Sequence, residues 1–239
     1  MGAADYLSRI AIEAEVLRAA AASVAADTPV PTCPGWRVGR LVEHLGRVFD
    51  MVIRVLHAAD PHSPPERVPP PTGDVFAFLD DRLATLLDVL ARTDPGSPTW
   101  HFSPAAPKTA AFWSRRMAHE TAVHRIDAQT AAGLTAAVDP PFAADGVDEV
   151  LTRLIQRDPA GWAAATLSGI VLYRAVDVGR VWAVRLVPGQ LPRTSPQQVG
   201  EPDASVAGPA DSVYRAVWGR PSTAVVSGAA ALVEATRAR

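Results

Sequence analysis

Three side chains have the types and the spacing to bind a divalent metal ion. Glu120 and His124 are four residues apart, so on a helix both lie in one stripe about 80° wide that also carries apolar residues. On an earlier predicted helix, His44 lies about 60° from Leu41, at the edge of the apolar face. Two imidazoles and one carboxylate, with a fourth position open, are typical of catalytic zinc. His44, Glu120 and His124 are therefore a candidate site for Zn²⁺ or another divalent ion.

The same spacing is compatible with a simpler interpretation. Glu120 and His124 could be an ordinary ion pair one turn apart, and a histidine on a helix face is more often a hydrogen-bonded core or rim residue than a ligand. His119 is five residues from His124 and about 100° from Glu120, which argues against the two-histidine helix motif of zinc proteases. Asp127, one turn beyond His124, is a candidate acceptor for a ligand's second ring nitrogen. Spacing alone does not decide between these alternatives.

Other chemically distinctive residues are expected to be structural. Cys33 lies between Thr32 and Pro34 in a stiff connector, without a cationic neighbour in sequence to stabilise a thiolate, so we do not expect it to be a nucleophile. We expect packing roles for Trp36 and Trp113, since large aromatic side chains dominate core energetics. The arginines on the predicted helix that carries Glu120 and His124 are expected to be solvated or structural: Arg115, Arg116 and Arg125.

Four predicted helices position the candidate ligands. In each of them apolar side chains recur at steps of three and four residues, which is the period of an amphipathic helix. The helices are expected at residues 4–26, 37–59, 75–92 and 112–132. Asp74 is the expected N-cap of the third helix, and Gly133 the expected end of the fourth. Four helices of similar length predict an antiparallel bundle, with the proline-rich loops at 61–73 and 95–107 bordering the site.

The pattern changes after a connecting helix at residues 142–157. Beyond it, β-branched and aromatic residues alternate with turn residues, which is typical of strands. The expected elements are a hairpin of strands at residues 166–176 and 180–187, strands at 203–207 and 224–227, a helix from Pro209 to Trp218 between these two, and a terminal helix. We therefore predict two domains, a four-helix bundle over residues 1–158 and a small α+β domain over residues 159–239.

The composition excludes several classes of protein. An apolar fraction of 48% in 239 residues is enough for a packed core. With 23 basic and 25 acidic side chains the net charge is −2, so we expect no binding to nucleic acid. The longest uncharged run, residues 159–173, is shorter than the roughly 18 residues needed to cross a membrane. With one cysteine and no signal-like N-terminus, we expect a cytoplasmic monomer or weak homodimer without a membrane partner.

Several short segments, spread over nearly the whole chain, stand in an order typical of one protein family. They are Pro31-Thr32-Cys33-Pro34-Gly35-Trp36, Leu41 to Gly46, Arg116 to Glu120, Val123 to Ala128, Gly208 to Asp211, Trp218-Gly219-Arg220 and Ser227-Gly228. In this combination they resemble the mycothiol-dependent maleylpyruvate isomerase family. Ile126 departs from the family pattern, because many relatives have an aromatic residue there, and we expect it to reshape the pocket wall.

The resemblance implies a DinB-like four-helix bundle that binds a divalent metal ion, usually zinc, and then a small sterol-carrier-protein-like α+β domain. The family's metal ligands correspond to His44, Glu120 and His124, and an active-site arginine corresponds to Arg220. The implied cosubstrate is mycothiol, which the metal would hold as a thiolate. The implied reaction is addition of this thiolate to a small electrophilic substrate, leading to cis–trans isomerisation or to S-transfer.

Two functions of other classes remain open at this point. A related metal-dependent hydrolase would use no thiol, and a binding module would keep the metal site and hold a small molecule without catalysis. One fold can host all three functions, so the sequence does not identify the substrate.

Overall fold

The computed structural model describes residues 2–238 and divides into two compact units. The first comprises Met1–His101 and Pro107–Ala136, and the second comprises Phe102–Ala106 and Ala137–Arg239. The prediction of a helical part followed by an α+β part is confirmed. Among the described residues, every helix is too short or too polar to cross a membrane.

The first unit is a bundle of four helices. They are α1 (Ala3–Ala22), α2 (Val38–Leu56), α3 (Val75–Arg92) and α4 (Ala111–Ala131). The bundle forms because each helix has apolar residues at steps of three and four, and α1 packs mainly on α4 while α2 packs mainly on α3. Asp74 caps α3 by accepting a hydrogen bond from the Phe76 backbone N–H, and Gly133 follows α4 with a left-handed φ of 69°. Both helix ends agree with the predictions.

Helix α4 is buried on nearly all of its sides, and not only along the predicted stripe. His119 and Arg125 lie outside that stripe and are buried too, because α1 and α2 both pack against this helix. A charge in such a position needs a partner. Arg125 has one, because its Nε donates to Oε2 of Glu13 on α1 at 2.6 Å, and both side chains are buried. The central helix is thus held by polar pairs as well as by apolar packing.

The second unit contains a five-stranded sheet with helices. Its strands are β1 (Gly169–Ala175), β2 (Arg180–Leu186), β3 (Arg193–Ser195), β4 (Ala204–Gly208) and β5 (Val225–Gly228), in the spatial order β3-β2-β1-β4-β5. Only β1 and β4 pair in parallel among these strands, and the other neighbours are antiparallel. The helices are α5 (Pro140–Glu149), α6 (Pro159–Ala164), α7 (Ala210–Val217) and α8 (Ala230–Ala235), and a π-helical turn at Val150–Leu154 follows α5. The predicted hairpin corresponds to β1 and β2.

The division between the units falls earlier than the predicted boundary between residues 158 and 159. The contacts within each unit place the division between Ala136 and Ala137. Helix α5 packs against α7 and so belongs to the second unit. The predicted connecting helix at 142–157 is also not continuous, since α5 gives way to the π-helical turn. Helix α6 and the three-residue strand β3 were not predicted, because such short segments carry too few residues to show a period.

Candidate metal centre

The bundle brings the three predicted ligands together. His44 comes from α2, whereas Glu120 and His124 lie one turn apart on α4. The Nε2 atoms of His44 and His124 each lie 3.3 Å from the same oxygen, Oε1 of Glu120. The ligand atoms of the three residues all lie within 4.8 Å of one another. Two imidazole nitrogens and a carboxylate oxygen therefore converge on one point, and this donor set fits a divalent ion such as Zn²⁺.

Two further residues hold the candidate ligands in place. Asp127 is completely buried and accepts a hydrogen bond from Nδ1 of His124, with 2.9 Å between Oδ2 and Nδ1. This fixes the proton on Nδ1 and leaves Nε2 available for an ion. Arg116, also buried, donates to Oε2 of Glu120 at 2.8 Å. Arg116 therefore has a structural role, as predicted, and it leaves the other oxygen of Glu120 facing the histidines.

The charges of the centre favour an ionised carboxylate and a protonated imidazole. Burial opposes the charge on Glu120, but hydrogen bonds from His124 and His44 and the charge of Arg116 hold its pKa well below the usual value. Burial also opposes protonation of His124, yet the hydrogen bonds to Asp127 and Glu120 raise its pKa to about 9. The carboxylates thus attract positive charge to the position where the ligand atoms converge. A cation bound there would replace the proton on Nε2.

Aromatic rings border the candidate centre. The Trp36 ring lies 4.8 Å from the His44 ring, edge to face, and 6.1 Å from the His124 ring in a stacked arrangement, measured between centroids. The guanidinium of Arg40 lies 5.7 Å from the Trp36 ring. Trp36 therefore packs as predicted, but it packs against the candidate ligands. Trp113 and Ile126 are buried in the core of the bundle.

A cavity of about 370 Å³ lies beside His44 and has a basic lining. Arg40 and Arg47 of α2 contribute to it together with Arg67, and Glu66 is its one acidic lining residue. Part of the lining comes from the predicted border loop at 61–73. The Nε of Arg47 is buried and has no hydrogen-bond acceptor within the described part of the chain. This cavity suits an anionic molecule next to a candidate ligand.

The sequence did not indicate that Cys33 lies close to the centre. Its Sγ is 3.3 Å from Oδ2 of Asp127, although the two residues are 94 positions apart. The connector turns back on itself, with a hydrogen bond from the Val30 N–H to the Trp36 carbonyl, and this places the thiol against α4. No local pattern could have shown this, because the contact depends on how the connector packs. His119 belongs to neither ligand group found in residues 2–238.

The predicted active-site arginine, Arg220, lies in the second unit directly after α7. Gly219 takes a left-handed φ of 65° there, and the Arg220 N–H donates to the Arg215 carbonyl at 2.8 Å. The side chain is half-buried and donates from Nη1 to the Trp218 carbonyl at 2.7 Å. These hydrogen bonds hold the backbone and the guanidinium of Arg220 near the end of α7. The role of Arg220 in a reaction stays a prediction.

Asp127→Asn should weaken zinc binding by about 10- to 100-fold, because replacing the carboxylate that orients a metal-bound histidine has an effect of this size. The measurement is a competition titration of zinc against a chromophoric chelator. Asp88→Asn, an exposed change on α3, is the control and should leave the zinc affinity unchanged. Equal affinities of the Asp127→Asn and Asp88→Asn proteins would contradict the orienting role of Asp127.

Comparison with known proteins accounts for nearly the whole chain. Residues 7–129 match the model of the mycothiol maleylpyruvate isomerase N-terminal domain, and residues 141–235 match the model of the C-terminal domain found in the same proteins. The crystal structure of the mycothiol-dependent maleylpyruvate isomerase is similar, with a TM-score of 0.67 at 13% identity over 95% of this chain and 93% of that chain. A structure of that enzyme with a histidine-to-alanine substitution has a TM-score of 0.68 at 12% identity, with the same coverage. A comparison with curated proteins found no match.

These structural similarities support the fold, and the two domain models identify the family. Together the domain matches cover both units, including the segments that carry His44, Glu120, His124 and Arg220. The chain belongs to the mycothiol maleylpyruvate isomerase family.

Proposed function

We propose that this chain is a metal-dependent enzyme that uses mycothiol as a thiol cosubstrate on a small electrophile of the maleylpyruvate type. The observation that carries the proposal is the convergence of His44, Glu120 and His124 in a chain that matches both domains of the family. The similar crystal structures are of a mycothiol-dependent maleylpyruvate isomerase, which supports isomerisation as the reaction. S-transfer is the alternative outcome of the same thiol chemistry.

The proposed reaction needs a thiolate, and a metal ion at the centre would supply one. A divalent ion held by His44, Glu120 and His124 would stabilise a coordinated thiol as its anion near neutral pH. Asp127 holds the ring of His124 with Nε2 toward Oε1 of Glu120, and Arg116 holds the other oxygen of Glu120, so these two residues would keep the ligands in place for the ion. Trp36 covers the two imidazole rings on one side. The chain's own residues thus hold the ligands and limit access to them.

Thiol addition accounts for cis–trans isomerisation without a net change in atoms. The sulfur of the thiolate forms a bond to one carbon of the activated double bond, and the electron pair moves to the adjacent carbonyl group. The carbon–carbon bond is then single and rotates. Return of the electron pair breaks the carbon–sulfur bond, which restores the double bond as trans and releases the thiolate.

The basic cavity beside His44 supports a substrate with carboxylate groups. A guanidinium matches a carboxylate with two parallel hydrogen bonds, and Arg40, Arg47 and Arg67 line the cavity. Hydrogen bonds from Arg47 to Glu43 and to the Val68 carbonyl hold this guanidinium at the cavity. Substrate carboxylates bound there would lie next to the candidate ligand His44.

We predict that Arg220 pairs with a carboxylate or enolate oxygen of the substrate. Arg220→Lys keeps the charge and removes the planar fork, so kcat/KM should fall by about 10- to 100-fold, the loss expected for a hydrogen bond to a charged group. Steady-state kinetics of the mycothiol-dependent reaction measure this effect. Arg174→Lys, an exposed change on β1, is the control. Equal kinetics for the two variants would remove Arg220 from the active site.

The proposed function is tested by measuring turnover of maleylpyruvate with and without mycothiol. Turnover that requires the thiol is the expected result. Turnover without any thiol would identify a metal hydrolase or another thiol-independent enzyme instead. A protein that binds metal and has a higher melting temperature with ligands, but turns nothing over in either condition, would be a binding module.

We place the activity in the cytoplasm and expect a monomer or weak homodimer. Size-exclusion chromatography would test the oligomeric state.

A further inference from the structure

A second group of ligand atoms lies on the far side of His124 from Glu120. Cys33 Sγ, Asp127 Oδ2 and a nitrogen of His124 all lie within 4.8 Å of one another. Nδ1 of His124 is 2.9 Å from Oδ2, and Sγ is 3.3 Å from the same oxygen. Neighbouring ligands of a tetrahedral ion with bonds of 2.0–2.3 Å are about 3.3 to 3.5 Å apart. Two of the distances in the group, from Oδ2 to Nδ1 and from Oδ2 to Sγ, are therefore within a few tenths of an ångström of those around a bound ion.

The chemistry of this group differs from that of the first. It contains the only cysteine of the chain, and a thiolate is the ligand that thiophilic ions such as Zn²⁺ and Cd²⁺ prefer. The thiol and the Nδ1 of His124 both donate to Asp127, so two protons converge on one carboxylate oxygen. A divalent cation has the same charge as these two protons and can replace them. Cys33 is partly exposed.

We infer that Cys33, Asp127 and Nδ1 of His124 form a second site for a thiophilic divalent cation, with His124 shared between the two sites through its two ring nitrogens. Binding exchanges the cation for the thiol proton and the Nδ1 proton, both of which pass to solvent. When both sites are filled, two dications face four negative groups: the carboxylates of Glu120 and Asp127, the Cys33 thiolate and the His124 imidazolate. The sharing of His124 between two ions depends on the metal centre of the proposed function. The existence of the second site does not depend on that centre.

Cobalt titration of the full-length protein tests the second site. Co²⁺ bound to a thiolate gives a sulfur-to-cobalt charge-transfer band, and Cys33 is the one cysteine that can produce it. We expect two Co²⁺ per wild-type chain and a charge-transfer band. Cys33→Ser should bind one Co²⁺ without the band, whereas His44→Ala should bind one Co²⁺ and keep the band. Binding of Co²⁺ by the wild type without a band at any level of cobalt would overturn the second site.

The variants separate this inference from the proposed function. If Cys33→Ser takes up no cobalt while the wild type shows the band, the second site is supported and the centre at His44, Glu120 and His124 fails. If Cys33→Ser takes up one Co²⁺ and the wild type also takes up only one, without the band, the first centre is supported and the second fails.

A measurement on the wild type alone avoids dependence on any variant. Because a metal-bound thiolate is shielded, alkylation of Cys33 should slow by about 100-fold when free zinc is about 100 times its Kd for the site. An alkylation rate that is the same with and without zinc would overturn the second site.

Discussion

His44→Ala should reduce mycothiol-dependent turnover by more than about 100-fold while the bundle stays folded. Replacing a residue that only orients a ligand costs up to about 100-fold, so the loss of a ligand should exceed this. His44 supplies one of the three converging atoms, and its side chain is 30% exposed, so its removal leaves little apolar surface unpacked. The measurement is kcat/KM with mycothiol present, together with the helical circular dichroism of the same preparation.

His57→Ala is the matched control for this change. His57 lies exposed at the end of the same helix, outside the ligand groups formed by the described residues. It should keep the turnover of the wild type. A folded His44→Ala protein that retains more than about a tenth of the wild-type kcat/KM would contradict a role for His44 as a ligand.

Glu13→Gln should lower the free energy of unfolding of the helical unit by about 3 kcal/mol, because it leaves the charge of Arg125 buried without its carboxylate. The pair joins α1 to α4, with 2.6 Å between Arg125 Nε and Glu13 Oε2, and both side chains are about 5% exposed. Urea unfolding followed by helical circular dichroism gives the free energy.

Two further proteins make this stability test specific. Glu15→Gln is an exposed change on the same helix and should alter the free energy of unfolding by less than about 0.5 kcal/mol. Replacing both partners, with Glu13→Leu and Arg125→Met, should recover most of the loss, since an apolar pair of similar volume substitutes well for a buried ion pair. Equal stability of the Glu13→Gln and Glu15→Gln proteins would contradict the importance of the pair.

The long helices could be predicted from the sequence because each has a strong apolar period. The predicted span 75–92 equals α3 (Val75–Arg92), where Asp74 marks the start and the period persists to the end. The domain boundary could not be predicted in the same way. Helix α5 has an apolar face that could pack in either domain, and only its packing on α7 assigns it to the second unit.

The candidate ligands could be predicted from their spacing, whereas only some of the residues around them could. Glu120 and His124 are on one stripe of α4, and four-residue spacing is enough to bring their side chains together. Asp127 was a candidate acceptor from the same spacing. Arg116 has the same four-residue spacing from Glu120, but it was expected to be solvated or structural and was not assigned to this carboxylate. Cys33 was not expected to be a nucleophile, because it has no cationic neighbour in sequence, and its contact with Asp127 of α4 appears only in the fold.

The metal centre at His44, Glu120 and His124 is tested most directly by the metal content of protein purified without chelators and without a metal-affinity column. We would measure it in the Cys33→Ser background, which removes the proposed second site. We expect about one divalent ion per chain, lost when His44→Ala or His124→Ala is added. A folded protein that carries no metal and takes none up on titration would contradict the metal centre and the thiol chemistry built on it.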